Sequence, residues 1–503
     1  MATDVEEIET KYDLPDGAEL PGLDDLPGVA GTRRPAPQRL EAEYYDTSDL
    51  RLIRSGITLR RRRGGTDDGW HLKLPVGPHT RREIREPLGS ARGDVPARLA
   101  SLVRGRTRER QLLPVARLTT IRQPVILLDE RDEPLAELVT DEVHSQSLGD
   151  STVSQTWREV EVELTGGDRG LLAAADTVLR KCGLRPAGRA AKLERALGVS
   201  PAGPPSPALS GDSPAGQVIR DYLRSSTDVL LSLDPLVRRN EPDAVHKMRV
   251  TTRRLRSVLQ AFGPAAGLAA DPVAGELKWL GGVLGSARDA EVLGKHLLAN
   301  LGRLPVEQVI GPIRARIQGH FGSAEAEARN NVLAALDSQR YFALLDDLEQ
   351  LAASPVPPGA GGAANVTLPP AVARTYRRTR RRVRRARGEP PGSTAEVAWH
   401  GARKAAKRAR YAAEAVSPAL GDEARRFARQ MKKVQSALGD HQDTVVARQA
   451  VRQLGINAHM SGENAFSYGV LYELDACDGA ALRDRAVQAW RHASRPGYWR
   501  WLR

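Results

Sequence analysis

From about residue 215 to the C-terminus, the sequence is written twice. His246 aligns with His400, Arg249 with Arg403, Arg254 with Arg408 and Arg256 with Arg410, each pair 154 positions apart. Leu284-Gly285 aligns with Leu438-Gly439, Asp289 with Asp443, and Arg220 and Tyr222 with Arg374 and Tyr376, at the same offset. The constant offset means no net insertion separates the copies, so this part is expected to fold as two copies of one unit about a pseudo-two-fold axis. Long Ala/Leu/Arg-rich stretches at helical period make the unit all-α. The copies are expected over 215–353 and 371–503, divided by a Pro/Gly-rich break from Ser354 to Pro370.

Before this repeat the texture changes. Residues 199–214, VSPAGPPSPALSGDSP, have the composition of an interdomain linker. Residues 1–198 alternate with period two in short segments broken by Gly and Pro. Val5–Tyr12, Gly56–Arg62, Trp70–Leu74, Val125–Leu128 and Trp157–Leu164 are expected as strands, and Leu171–Cys182 as a helix packed on them. The resulting fold class is multi-domain α+β, with an N-terminal antiparallel barrel or sandwich and a C-terminal all-α duplicated helical bundle.

Charge divides at the same boundary. Of 75 Lys+Arg and 62 Asp+Glu, 31 basic and 33 acidic residues precede Val199, and 44 basic and 29 acidic follow Gly198. The whole basic excess lies in the repeat, which therefore attracts polyanions. His246, Arg249, Arg253 and Arg256 are spaced 3, 4 and 3, as are His400, Arg403, Lys407 and Arg410. Each set falls within an arc of roughly 80° on its helix. Like charges stacked on one face destabilise a helix, so a stripe present in both copies points to an anion. Arg374, Arg377, Arg378, Arg381, Arg384 and Arg385 extend the basic surface. Asp289 and Asp443 are read as orienting these arginines or capping helices. The basic segments lack aromatic residues placed for base stacking, which disfavours nucleic acid as the partner.

In the first part, Glu7, Glu9 and Lys11 share one strand face, as do Glu159, Glu161 and Glu163. Carboxylates crowded this way repel each other unless a cation sits among them, and an oxygen-only ligand set favours Mg²⁺ or Mn²⁺. Arg60, Arg62, Lys73, Arg85, Arg122 and Lys192 recur on other segments, with Glu83 among them. A barrel lined by both signs is costly unless a ligand meets both, and a metal-bound triphosphate would do so. The bland reading, that each strand is a solvated face, does not explain the segregation of acids and bases strand by strand.

These residues carry a family resemblance. EIETK at Glu7–Lys11 resembles the ExExK signature of the CYTH family, the triphosphate tunnel metalloenzymes. YYDT at Tyr44–Thr47, LRRR at Leu59–Arg62, HLKLP at His71–Pro75, EVEVEL at Glu159–Leu164 and AAKLER at Ala190–Arg195 follow in that family's order. The resemblance implies an eight-stranded antiparallel tunnel with flanking helices over 1–198, and catalysis by Lys11, Glu161 and Glu163. It implies divalent metal held by Glu7, Glu9, Glu161 and Glu163, with Glu159 competing for that role. It implies triphosphate binding by Lys11, Arg60, Arg62, Lys73, Arg122 and Lys192, with Arg117 as an alternative to Arg122, and with Glu83 and Asp141 holding the bases in place. HKMRVTTRRLR, LGSARDAEV, WHGARKAAKRARY and LGDHQDTVV resemble the CHAD domain across about 215–500. That resemblance implies binding of inorganic polyphosphate by His246, Arg249, Arg253, Arg256, His400, Arg403, Lys407 and Arg410.

Two functions follow as expectations. One is a Mg²⁺- or Mn²⁺-dependent hydrolase of inorganic tripolyphosphate or a similar triphosphate, tethered to polyphosphate. The other is a non-catalytic polyphosphate-binding protein whose barrel only holds a phosphate ligand. Thiamine triphosphate, RNA 5′ triphosphate and adenylate cyclisation are served by the same family architecture, and no base-recognition motif is present. No stretch of about 18 or more apolar residues could span a bilayer. The acidic start, Met1 to Tyr12, does not read as a signal peptide. Cys182 and Cys477 are far apart, with no metal knuckle around either, which fits a reduced cytoplasmic protein, with polyphosphate granules as a candidate location.

Overall fold

The period-two texture of the first part is realised as one closed sheet. In the computed structural model, residues 3–503 are described apart from 16, 19, 24–25, 78, 90–93, 150–151, 189–190 and 200–207, so most of the expected linker lies outside the described residues. The chain divides into two units, Met1–Ser206 and Pro207–Arg503. The strands of the first are β1 (Thr3–Asp13), β2 (Gly31–Arg33), β3 (Gln38–Asp46), β4 (Thr58–Arg63), β5 (Gly69–Gly77), β6 (Thr80–Glu86), β7 (Leu113–Leu128), β8 (Pro134–Ser147), β9 (Ser154–Leu164) and β10 (Arg185–Pro186). Eight run in the order β1-β6-β5-β4-β3-β7-β8-β9, and β9 pairs back onto β1, so the barrel has no open edge. All the pairings are antiparallel; β2 adds to β7 and β10 to β1 outside this ring.

Three helices cover the barrel: α1 (Ala97–Thr107), α2 (Arg169–Lys181) and α3 (Lys192–Leu197). Asp168 caps α2 by accepting from the Leu171 N–H at 3.1 Å. Leu171, Leu172, Ala175 and Leu179 then pack on Tyr12, Val160 and Val162. Leu99, Leu102 and Val103 of α1 cover Leu59, Trp70, Leu72 and Ile84. Leu193 and Ala196 of α3 pack with Tyr44, Leu118, Val143 and Trp157. The strand expected from Gly56 starts later, at Thr58, because Gly56 (φ 72°) ends a 3-10 turn at Ile53–Ser55. Val125–Leu128 is only the last quarter of the 16-residue β7. Strands β3, β6 and β8 are not among the segments expected from alternation.

The second unit is helical: α4 (Ala215–Arg238), α5 (Ala244–Phe262), α6 (Asp271–Leu301), α7 (Ile313–Leu336), α8 (Gln339–Ala353), α9 (Ala364–Thr367), α10 (Pro369–Gly388), α11 (Ser393–Met460) and α12 (Phe466–Ala493). α11 is two helices joined at Gly421, whose φ of 69° and ψ of −145° no helix contains. One continuous core runs through α4, α5, α6, α8, α10 and α11, around Phe262, Leu280, Tyr341, Val416, Phe427 and Met431. Corresponding residues make corresponding contacts: Arg249 lies over Gly285 and Arg403 over Gly439, both glycines leaving room for a guanidinium. No helix among the described residues is long and apolar enough to cross a membrane. Both cysteines are free and exposed.

The YYDT segment is structural in part. Asp46 is fully buried and accepts three backbone N–H bonds, from Thr47 at 2.7 Å and from Leu52 and Ile53 at 2.9 Å. Asp46→Ala leaves these donors unsatisfied and is expected to cost about 2–4 kcal/mol. Chemical denaturation measures it, and a loss below about 0.5 kcal/mol would contradict this role.

Candidate functional site

The lumen of the barrel is where period-two alternation places the charged side chains. On β1 these are Glu7, Glu9 and Lys11; on β9 they are Glu159, Glu161 and Glu163. The β1–β9 seam sets Glu9 opposite Glu163 and Lys11 opposite Glu161. Cations line the lumen as well: Arg60 and Arg62 on β4, Lys73 on β5, Arg122 on β7 and Lys192 from the start of α3, of which Lys73, Arg122 and Lys192 reach the acidic seam itself at Glu7 and Glu161.

Two fully buried carboxylates hold this cationic wall. Glu83 on β6 lies 2.9 Å from His71 Nδ1, 3.6 Å from Lys73 and 3.8 Å from Arg60, and also binds Arg85. Burial alone would raise its pKa, but His71, Lys73 and Arg60 hold it far below the usual carboxylate range. Asp141 on β8 grips Arg122 through both oxygens at 2.9 and 2.7 Å and meets Lys192 at 2.9 Å. Arg62, beside Asp67, is pushed down to about 9 by burial and by Arg60 and Arg122. Tyr44 accepts from Arg60 at 3.3 Å. Arg117 lies outside, largely exposed and bound to Glu43 at 3.0 Å, so Arg122 alone of the two enters the lumen. Arg81, which the sequence analysis does not single out, is two residues before Glu83 and comes within 4.0 Å of Glu9. Period two from Glu83 could have found it.

The acidic seam is only partly neutralised. Lys11 contacts Glu161 and lies 3.2 Å from Glu9; burial opposes its charge, but Glu161 and Glu9 raise its pKa. Lys73 reaches Glu7 at 2.5 Å. Glu163 is in no ion pair among the described residues, and burial together with Glu7, Glu9 and Glu161 pushes it up to about 7. Like charges directly across a strand pair are destabilising, so Glu9 facing Glu163 is a cost the fold carries. Glu7, Glu9, Glu161 and Glu163 offer only oxygen donors, the kind a divalent cation takes, but no three of them bring ligand oxygens within 4.8 Å of one another in this structure.

A second acidic group lies alongside. Oxygens of Asp141, Glu159 and Glu161 lie within 4.8 Å of one another and could hold a metal ion. The Lys192 ammonium already meets all three, at 2.9, 2.7 and 2.7 Å, and Glu159 also accepts from Trp157 Nε1 at 2.6 Å. An ammonium there does the work a metal would do.

In the helical unit the two stripes face each other. Lys407 is 8% exposed and has no carboxylate partner among the described residues. Burial, then Arg253, Arg403, Arg249 and Arg410, push its pKa down to about 6. Arg249 binds Asp289 at 2.9 Å, and Arg403 lies 4.0 Å from Asp443. The histidines border this cluster, His400 beside Arg403 and Lys407. His246 is exposed beside Arg288 and Arg249, and His400 bonds Gln442 at 2.8 Å. Arg256 and Arg378 both lie near Arg408.

The CYTH domain family matches residues 6–187 and the CHAD domain family residues 221–452. An uncharacterized protein of Mycobacterium tuberculosis (strain CDC 1551 / Oshkosh) is 37% identical over 502 residues, covering 96% of each chain. PptA from Streptomyces chartreusis is 24% identical with a TM-score of 0.47, covering 56% of this chain and 100% of its own. The CHAD domain from the plant Ricinus communis is 24% identical with a TM-score of 0.45, covering 56% and 94%. With its barrel closed, its lumen charged and both domains matched in order, this chain belongs to the CYTH–CHAD family, a CYTH tunnel followed by a CHAD domain.

Proposed function

We propose that the tunnel hydrolyses inorganic tripolyphosphate or a similar triphosphate with Mg²⁺ or Mn²⁺, while the helical unit binds inorganic polyphosphate and tethers the enzyme to it. The observation that carries the catalytic reading is an acidic seam facing a cationic wall inside a closed barrel. Arg60, Arg62, Lys73, Arg122 and Lys192 take the phosphate oxygens, and Glu83 and Asp141 keep these cations aimed inward without mobile counterions. Glu7, Glu9, Glu161 and Glu163 would hold the divalent metal, which when bound supplies Lewis-acid polarisation of the phosphoryl group. Lys11 neutralises charge on the terminal phosphoryl oxygens. Glu163, the seam carboxylate in no ion pair among the described residues, orients the attacking water and accepts its proton, and Glu161 holds Lys11 in place. The terminal P–O–P bond breaks and orthophosphate leaves.

Polyphosphate binding rests on the convergence of both stripes on Lys407, which is buried, has no carboxylate partner among the described residues and is surrounded by Arg253, Arg403, Arg249 and Arg410.

Phosphate release from tripolyphosphate, ATP and long-chain polyphosphate, with and without Mg²⁺ or Mn²⁺, tests catalysis. Metal-dependent release from tripolyphosphate is expected, falling by about 100-fold or more in Lys11→Ala. No turnover of any of the three would make the barrel a ligand holder. For the helical unit, Lys407 is largely neutral above about pH 6 in the free protein, and a bound polyanion raises its pKa. Polyphosphate binding at pH 8 should therefore take up protons, and affinity should fall as pH rises above 6. Calorimetry in two buffers of different ionisation enthalpy reads the uptake, which Lys407→Gln should remove; equal heats in both buffers would contradict it.

A further inference from the structure

The two stripes are copies, but their ends differ. On α5 the stripe of His246, Arg249, Arg253 and Arg256 continues one turn on at Gln260; on α11 the same position is Glu414. Glu414 binds Arg410 at 2.7 Å and Arg254 at 3.2 Å. Tyr411 lies beneath both guanidiniums, 5.5 and 5.6 Å from its ring centre, and Tyr222 of α4 packs beside them. That end is filled by a carboxylate and a ring. At the other end the corresponding residues are Gln260 for Glu414, Ser257 for Tyr411 and Arg408 for Arg254.

The replacements leave a cavity of about 720 Å³ between α5, α10 and α11. Ser257 and Gln260 line it on one side, Arg374, Arg378 and Arg381 on the other, with Arg408 between. Among the described residues, none of these four arginines is in an ion pair, and no acidic side chain lines the cavity. The first copy has no such open row on α4: Arg220, the counterpart of Arg374, is buried and bonded to the carbonyls of Gly216, Ala266 and Pro355. Arg381 corresponds there to Thr227, and Arg224, the counterpart of Arg378, is tied to Asp221 at 2.9 Å, where α10 has Thr375. Arg256, the last residue of the α5 stripe, adjoins Arg408 and so links stripe to cavity.

We propose that the polyanion track runs on beyond the duplicated stripes into the Arg374/Arg378/Arg381/Arg408 cavity and is closed at the opposite end by Glu414 and Tyr411. This rests on reading the stripes as the polyphosphate site and adds a consequence: the track opens one way, and long chains gain contacts there that a tripolyphosphate held at the stripes does not. A concave site whose charged lining is all arginine, with no aromatic residue, suits a flexible chain of phosphates more than a stacked base or a stiff duplex.

The test compares tripolyphosphate and long-chain polyphosphate binding at fixed and varied salt, without divalent metal, in a full-length Arg60→Gln/Lys73→Gln background that removes the tunnel's own triphosphate site. Variants of the full chain are Arg378→Gln/Arg381→Gln/Arg408→Gln and, separately, Ser257→Tyr/Gln260→Glu, which rebuilds the closed end on the open side. Both should weaken long-chain binding by about tenfold or more and flatten its salt dependence, while tripolyphosphate affinity changes by less than about twofold. Arg249→Gln/Arg403→Gln should weaken both ligands. Equal effects on short and long chains, or none in either cavity variant while Arg249→Gln/Arg403→Gln still abolishes binding, would overturn the extension and leave the stripe reading standing. No effect of Arg249→Gln/Arg403→Gln on either ligand would sink the stripe reading itself. A cavity variant that loses duplex DNA binding but keeps long-chain polyphosphate would assign the cavity to nucleic acid and overturn the proposal.

Discussion

Everything in the first unit depends on enclosing charge inside a barrel without leaving it uncompensated. An ionised side chain taken out of water is tolerated only when partners surround it, and here the partners come from neighbouring strands. Glu83 and Asp141 have no exposed surface and each bind more than one cation, so they fix the wall from which Arg60, Lys73, Arg122 and Lys192 project. Closing the sheet through β1 and β9 then sets Glu9, which Lys11 and Arg81 attend, against Glu163, which is in no ion pair among the described residues. The one carboxylate of the seam left without a cation among the described residues, Glu163, is the kind of local cost expected where a fold gives up stability for a ligand.

The helical unit meets the opposite problem. Its cationic stripes converge on Lys407, with the two nearest repeat-related carboxylates, Asp289 and Asp443, engaged at Arg249 and Arg403. Duplication explains why the cluster forms, since each copy supplies half of it. Divergence between the copies explains its ends: Tyr411 and Glu414 fill one, and Ser257 and Gln260 open the other. Substitutions at repeat-related positions thus make the two ends of a duplicated scaffold different.

Much of this was legible in the sequence for definite reasons. Glu7, Glu9 and Lys11 announce a lumen face because period two on a strand forces all three onto one side, and an offset shared by many residue pairs leaves little freedom in the helical part. Less legible was what depends on strand parity across long strands. Arg117 and Arg122 lie on one strand with an odd separation, so they must face opposite sides, but only the paired register says which is inside. β8, PLAELVTDEVHSQS, alternates too weakly to declare itself, and its Asp141 entered only through the family resemblance. The pairing of Lys192 with Asp141, Glu159 and Glu161 joins residues from three elements and leaves no local signature. Stripe ends were hidden for a different reason: aligning the copies draws attention to what they share, whereas the cavity lies where they differ.

The most direct test is a crystal of the protein with Mn²⁺ and a non-hydrolysable triphosphate analogue, read by anomalous scattering at the manganese edge. The account predicts a manganese peak among Glu7, Glu9, Glu161 and Glu163, with the phosphates on Arg60, Arg62, Lys73, Arg122 and Lys192. Manganese among Asp141, Glu159 and Glu161 with Lys192 displaced, or phosphates bound outside the lumen, would contradict it.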